Sequence, residues 1–92
     1  MKNLDYCRNR IDEIDKKLIE LFEERMEIVL DVAKYKEANN LPIFNKERED
    51  DVIRKNVARV KNEDLKSYTE DMLHSLMDIS KEYQCEKLKR RD

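Results

Sequence analysis

Three basic side chains of this sequence stand on or beside a stripe of apolar residues, where a charge is costly unless it is paired. Arg25 continues a line of apolar residues that recur every seven positions: Leu4, Ile11, Leu18 and Val32. Because a guanidinium does not lose its proton in a protein, an arginine at such a position needs an anionic partner. Arg8 and Lys36 flank the same stripe. The pattern fits either structural ion pairs and side chains that reach solvent from the stripe's edge, or a site for a small anion.

Distances along a helix decide which of these groups can meet. Arg25 and Lys36 are eleven residues apart, which is about three helical turns and roughly 16 Å. Long side chains that point towards each other can hold a small anion across that gap. Arg8 lies seventeen residues before Arg25, which is roughly 25 Å along the axis and too far to join them. If Arg8 binds the same anion, it must come from the antiparallel helix of a partner chain.

Four further polar residues are candidates on the rest of the chain. Arg48 and Glu49 lie one turn before an apolar face and can reach inward, although a solvated helix start explains them as well. Ser80 and Gln84 are one turn apart in a third helix. A serine in a helix often bonds back to a carbonyl of its own helix, whereas Gln84 offers a hydrogen-bond donor without a charge.

An unusually long first helix must position most of these groups. Apolar residues recur in steps of three and four from about Leu4 to Ala38, which predicts an amphipathic helix. Its length of roughly 50 Å exceeds what a compact chain of 92 residues can cover, since such a chain has a radius of gyration of about 12–13 Å. We therefore expect the stripe to be buried against another chain in a dimer.

Two shorter helices follow the first. Asn39–Pro42 break the first helix, because proline restricts the residue before it and cannot donate a helical hydrogen bond. Asn45 is a suitable N-cap for the second helix, and Asn62–Asp64 read as a cap and an acidic first turn for the third. The apolar face of the second helix comprises Val52, Ile53, Val57 and Val60. That of the third comprises Leu65, Tyr68, Met72, Leu73, Leu76, Ile79 and Tyr83.

The composition limits the classes of protein to which the chain can belong. The 20 basic and 22 acidic residues give a net charge of −2, a balance that argues against nucleic-acid binding. The absence of glycine argues against hairpin-rich β folds and excludes glycine-rich phosphate loops. No apolar run exceeds four residues, too few for a membrane span or a signal-peptide core. We expect one all-α domain over residues 1–92, located in the cytoplasm.

The cysteines and the histidine do not indicate a metal or cofactor site. Cys7 and Cys85 lie near opposite ends of the chain, and two reduced thiols are favoured over a disulfide bond. His74 has no second histidine and no cysteine at ligand spacing, so no metal site is expected.

Taken together, the motifs resemble those of the chorismate mutases of the all-helical class. They are Asp-x-x-Leu-x-x-Leu-x-x-x-Arg over residues 15–25, Lys-x-Lys over 34–36, Pro-Ile at 42–43, Arg-Glu at 48–49 and Ser-x-x-x-Gln over 80–84. The resemblance implies an intertwined homodimer of three-helix chains, with active sites built from both subunits. It also implies the rearrangement of chorismate to prephenate in aromatic amino-acid biosynthesis, a [3,3] sigmatropic step that uses no cofactor.

The resemblance assigns catalytic and binding roles residue by residue. Arg25 and, from the partner subunit, Arg8 would clamp the two carboxylates of chorismate, because a planar guanidinium engages both oxygens of a carboxylate. Lys36 and Gln84 would donate to the ether oxygen, where the bond breaks and negative charge develops.

Four more positions complete the implied site. Glu49 would accept a hydrogen bond from the ring hydroxyl, Arg48 would orient that edge of the pocket, and Ser80 would assist at a carboxylate. Asn45 stands where the well-known bacterial pattern has aspartate, and it keeps the ability to cap a helix.

Two alternatives remain open beside the mutase. One is an isochorismate-pyruvate lyase of the same fold, which would need the same carboxylate clamp. The other is a non-catalytic helical dimer that regulates another enzyme. A purely structural dimer has no reason to line its seam with cations, and this favours an enzyme.

Overall fold

Residues 2–89 fold as three α-helices and one short 3-10 turn. The structure is a computed structural model that describes residues 2–89. Its elements are α1 (Leu4–Ala38), α2 (Lys46–Ala58), a 3-10 turn (Glu63–Leu65) and α3 (Lys66–Leu88). Over this range there is no strand, and no helix is both long and apolar enough to span a bilayer. The predicted all-α class is confirmed, and α1 has the predicted bounds.

Asparagine side chains begin α1 and α2. The Oδ1 atom of Asn3 accepts from the backbone N–H of Tyr6 at 2.8 Å, and that of Asn45 accepts from the N–H of Arg48 at 3.0 Å. Each bond satisfies one of the donors that a first helical turn leaves without an intrahelical partner. The predicted N-cap at Asn45 is confirmed.

The start of the third helix differs in detail from the prediction. Asn62 acts as a cap, but its Oδ1 accepts from the N–H of Asp64, only two residues on, at 3.0 Å. This bond between residues two apart accompanies a tight 3-10 turn. The α-helix itself begins after the turn, at Lys66. Such turns are frequent at the ends of α-helices.

The connection between α1 and α2 turns without glycine. Asn40 adopts the left-handed region, with φ 55°, which asparagine tolerates because its short polar side chain can bond locally. Pro42 follows, and the side chain of Ile43 is buried. The ammonium of Lys36 donates to the Ile43 carbonyl at 2.9 Å. The buried Ile43 side chain and the bond from Lys36 therefore both help to fix the loop to the rest of the chain.

The core forms where α3 packs against both other helices. Ile53 of α2 meets Leu73 and Met77 of α3 in one buried cluster, and α1 contributes the buried side chains Met26 and Ala33. Half-buried residues that pack around the cluster are Val52, Val57 and Leu76. Three of the four residues of the predicted apolar face of α2 thus meet the core, whereas the fourth, Val60, lies beyond the end of the helix.

α3 carries apolar residues on two faces, and the chain itself covers one of them. The buried line runs through Leu73, Met77, Ser80 and Gln84, in helical steps of four, three and four. Four residues of the predicted stripe lie off this line and are 45–70% exposed: Leu65 in the 3-10 turn, and Tyr68, Met72 and Ile79 on the other face of α3. The inward face of α3 therefore begins apolar and ends polar.

The N-terminal half of α1 extends beyond the rest of the chain. Every residue from 2 to 20 is exposed. The apolar side chains left bare there, at 49–61% exposure, include Leu4, Ile11, Ile14 and Leu18. The chain measures 54 × 25 × 16 Å and has a radius of gyration of 16.4 Å, well above the value of about 12 Å for a compact chain of this length.

Candidate active site

A cavity of about 490 Å³ opens between the three helices. The C-terminal half of α1, the start of α2 and the C-terminal half of α3 form its walls, together with the loop before α2. The apolar part of its lining comprises Leu21, Ile28, Val29, Val32, Ile43, Val52 and Met77. The buried polar end of α3 faces this space.

Seven of the eight residues predicted to form a site line this cavity. They are Arg25, Lys36, Asn45, Arg48, Glu49, Ser80 and Gln84. The eighth, Arg8, lies on the exposed N-terminal half of α1 and does not line it. The separation of Arg8 from Arg25 along one helix, roughly 25 Å, explains why a single chain does not bring the two together.

Arg25 is a half-buried cation that forms no ion pair within residues 2–89. Its guanidinium donates to the Ser80 hydroxyl at 2.8 Å. No carboxylate of residues 2–89 forms an ion pair with it. Burial, and then the positive charge of Arg48, lower the pKa of Arg25 from its ordinary value. Both causes act against the charged form, so an anion brought into the cavity would stabilise it.

Lys36 supplies a second cation to the same cavity. It is half-buried, and its ammonium donates to the Ile43 carbonyl at 2.9 Å. No ion pair joins it to a carboxylate within the part of the chain that the structure describes. An ammonium has three N–H donors, so this bond leaves donors for a ligand.

Ser80 and Gln84 lie one turn apart at the buried, polar end of α3. The Ser80 hydroxyl donates to the Leu76 carbonyl at 2.7 Å while it accepts from Arg25. Its bond back to its own helix was one of the two interpretations of this serine, and it holds Arg25 as well. The Gln84 amide donates to the Val29 carbonyl of α1 at 3.0 Å, and its second N–H remains for a ligand.

The first turn of α2 forms the opposite wall. Asn45 lines the cavity and caps the helix. Arg48 is largely exposed and lies 3.8 Å from Asp51. The Glu49 carboxylate is only 20% exposed, and one of its oxygens lies 3.4 Å from the Lys81 ammonium. A carboxylate thus stands in a cavity whose other charged groups are mostly cations.

Lys81 is a lining residue that the sequence analysis missed. It follows Met77 by four residues and so lies over the same buried face of α3. Met77 was absent from the predicted stripe of the third helix, and without it the face on which Lys81 stands was not evident. The spacing of four residues between Met77 and Lys81 is the feature of the sequence that indicates this shared face.

Comparison with known proteins identifies one family. A family model described as chorismate mutase type II matches residues 7–85. The T-protein of Haemophilus influenzae is 45% identical over 49 residues, which cover 53% of this chain and 13% of that protein. The chain therefore spans a small fraction of the length of this curated relative. No solved structure gives a significant match.

The lowered pKa of Arg25 predicts the effect of removing its charge on stability. Because the folded chain disfavours the charged form, and arginine stays protonated at any ordinary pH, the cost is present throughout the neutral range. We expect Arg25→Gln to change the unfolding temperature by less than about 4 °C, the effect of under 1 kcal/mol on a domain of this size. Thermal unfolding followed by circular dichroism measures this.

Leu73→Ala is the control, because it truncates a buried apolar side chain in the core that α3 forms with α2. It should cost about 2–5 kcal/mol and lower the unfolding temperature clearly. If Arg25→Gln were as damaging as Leu73→Ala, Arg25 would be a structural residue of the fold and not a cation held for a ligand.

Proposed function

Because the chain belongs to the chorismate mutase type II family, we propose that it is an isomerase that rearranges chorismate to prephenate in aromatic amino-acid biosynthesis. One observation carries the proposal. Two cations, Arg25 and Lys36, line one cavity and pair with no carboxylate of residues 2–89. Chorismate has two carboxylates, which would supply anionic partners for these two cations.

The chemistry of this reaction agrees with the groups in the cavity. A [3,3] rearrangement breaks a carbon–oxygen bond and forms a carbon–carbon bond within one molecule, so it requires no nucleophile and no proton relay. It requires the flexible substrate to be held in its compact reactive conformer. It also requires hydrogen-bond donors where negative charge develops on the ether oxygen. Fixed cations and amides in a partly apolar cavity provide both.

In this proposal Arg25 binds one substrate carboxylate. The Ser80 hydroxyl accepts one guanidinium N–H, which fixes the plane of the group and leaves its other donors for a carboxylate. Ser80 therefore assists at that carboxylate by orienting Arg25. The desolvated cation gains most from a ligand of opposite charge.

Lys36 and Gln84 donate to the ether oxygen in the proposal. Each already donates to a backbone carbonyl, that of Ile43 for the lysine and that of Val29 for the glutamine. These bonds orient the two groups before substrate arrives, and each group keeps a further N–H. Donors that are fixed in advance need no reorganisation when charge develops, which is the condition for electrostatic catalysis.

The wall formed by α2 recognises the ring in the proposal. The carboxylate of Glu49 accepts a hydrogen bond from the ring hydroxyl, and Arg48 orients that edge of the cavity. Asn45 contributes through its position at the start of α2, where its side chain is already engaged as the N-cap.

We further propose a homodimer in which each active site takes Arg8 from the partner subunit. The apolar stripe on the N-terminal half of α1 is bare in the single chain. Antiparallel pairing of two long helices would cover it. The same pairing would carry Arg8 of one chain towards the Arg25 cavity of the other, a distance that one chain cannot bridge.

The direct test is a spectrophotometric assay of the purified protein with chorismate and, in parallel, with isochorismate. We expect loss of chorismate with formation of prephenate, and no comparable release of pyruvate from isochorismate. Turnover of isochorismate alone would identify the lyase, and turnover of neither would contradict an enzymatic function for this chain.

Mixing inactive variants tests whether the sites are shared. Arg8→Ala and Arg25→Ala chains are each expected to be inactive alone. In a mixed dimer one site carries both lesions and the other is intact, so statistical exchange should restore about a quarter of wild-type activity in a twofold dimer. Activity is measured after the subunits have been allowed to exchange.

The matched control mixes Arg25→Ala with Lys36→Ala. Both residues line the cavity within one chain, so every site in such a mixed dimer carries one lesion and no activity should return. If subunits demonstrably exchange and the Arg8 mixture stays inactive, the shared-site arrangement is wrong.

The proposed role of Gln84 predicts how the reaction rate depends on pH, and a titratable residue at position 84 should change that dependence. An amide donates without titrating, so the wild-type rate should be nearly flat from about pH 5 to pH 8. In Gln84→Glu a carboxylate would repel the developing negative charge at neutral pH. Its loss of rate should be roughly a hundred- to a thousandfold, as for removal of one oxyanion donor, and acidification should restore much of it.

Gln84→Ala serves as the control for this profile, since it removes the donor without adding a charge. It should be slow at every pH, with no recovery on acidification. A Gln84→Glu variant with wild-type activity at pH 8 would show that Gln84 does not face the reacting oxygen.

A further inference from the structure

Lys81 lines the cavity and has no part in the roles proposed so far. Its ammonium lies 3.4 Å from a Glu49 oxygen, 4.4 Å from the centre of the Phe44 ring and 3.7 Å from an Asp78 oxygen. These contacts join α3 to the first turn of α2 and to the loop before it. The position of the Lys81 ammonium is therefore fixed by contacts with three side chains: one from α2, one from the loop before α2 and one from α3 itself.

The pair of Lys81 and Glu49 differs from the other ion pairs of residues 2–89. Its side chains are 29% and 20% exposed, and every other pair has at least one partner with 41% or more exposed. Exposed ion pairs contribute little because water and salt screen them. Attraction between charges is stronger where water is partly excluded. Of these ion pairs, this one is thus the best placed to fix a side chain.

We infer that Lys81 is a positioning residue that holds the Glu49 carboxylate in place to read the ring hydroxyl of the substrate. The inference rests on the proposed function and goes beyond it. One oxygen of the carboxylate faces Lys81, and the other remains free to accept a hydrogen bond from a hydroxyl. Lys81 is the group that can hold this carboxylate, because no other cation of residues 2–89 forms an ion pair with it.

Lys81 also solves an electrostatic problem of the cavity. Glu49 is an anion in a space proposed to take a dianion, and like charges repel. The neighbouring ammonium neutralises Glu49 without removing its acceptor oxygen. A site built to bond a substrate hydroxyl rejects analogues that lack it, since its own polar group is then left without a partner. Lys81 and Glu49 together therefore select substrates that carry the ring hydroxyl.

The test measures kcat and KM for Lys81→Met with chorismate. The hydroxyl does not take part in the bond changes, so its contact is present in both ground and transition states. We expect KM to rise about tenfold, the effect of losing a coupled contact, while kcat stays within about twofold. Lys81→Arg should recover most of the loss because it keeps the charge.

Lys66→Met is the matched control on the same helix. Lys66 pairs with Glu63, whose side chain is 82% exposed, and neither residue lines the cavity. This variant should leave both kinetic constants unchanged. Thermal unfolding of every variant, including Lys81→Gln, shows whether a change in KM comes from lost stability or from weaker substrate binding.

A double-mutant cycle identifies how Lys81 acts. In a Glu49→Gln background Lys81→Met should have little further effect on KM, and the same should hold in wild type for an analogue that lacks the ring hydroxyl. An unchanged tenfold effect in that background would show that Lys81 attracts the dianion directly and would overturn its role through Glu49. So would a Lys81→Met variant with normal KM. If wild type does not convert chorismate, the proposed function fails first, and the inference fails with it.

Discussion

Arg25 is half-buried at the seam of α1 and α3, with a serine hydroxyl as its hydrogen-bond partner and no ion pair to a carboxylate of residues 2–89. Burial and the nearby charge of Arg48 both act against its ionised form. A charge in such a place persists only if its surroundings give it polar contacts. The inward face of α3 meets this requirement, because Ser80, whose hydroxyl accepts from Arg25, takes the place of the apolar residues that the preceding turns bury.

The two halves of α1 differ in how far the rest of the chain covers them. Beyond residue 20 the helix packs on α3 and forms a wall of the cavity, whereas residues 4–20 contact no other element strongly enough to be covered. The core of one chain is small, since six apolar side chains of the described residues are buried. Chains with so little buried apolar surface generally need further burial for stability. The bare stripe is where such burial is available.

Much of this arrangement follows from local rules that operate along the sequence. The bounds of α1 follow from a sustained apolar period, broken only by Arg25 on the line that includes Leu18 and Val32, and from the proline after it. The start of α2 follows from one asparagine. The cavity residues Arg25 and Lys36 were predictable because they share one straight helix, where sequence separation fixes distance.

The rest depends on contacts that no local rule contains. α3 has two apolar faces, and the sequence does not reveal which face the chain itself covers. For that reason Met77 was missed as a core residue, and Lys81 was missed with it. The dual bonding of Ser80 likewise arises because α3 meets α1 at that turn, and the pairing of Lys81 with Glu49 arises because α3 meets α2.

The straight run of α1 also determines where the chain can gain or lose residues. One residue inserted into a continuous helix rotates everything beyond it by about 100° and shifts it by about 1.5 Å. An insertion between Arg25 and Lys36 would therefore turn one cation out of the cavity. The connection over residues 59–65 is under no such restriction, since it joins α2 to α3 outside the cavity. Length variation among chains that keep this cavity should accordingly collect in that connection and be absent from the second half of α1.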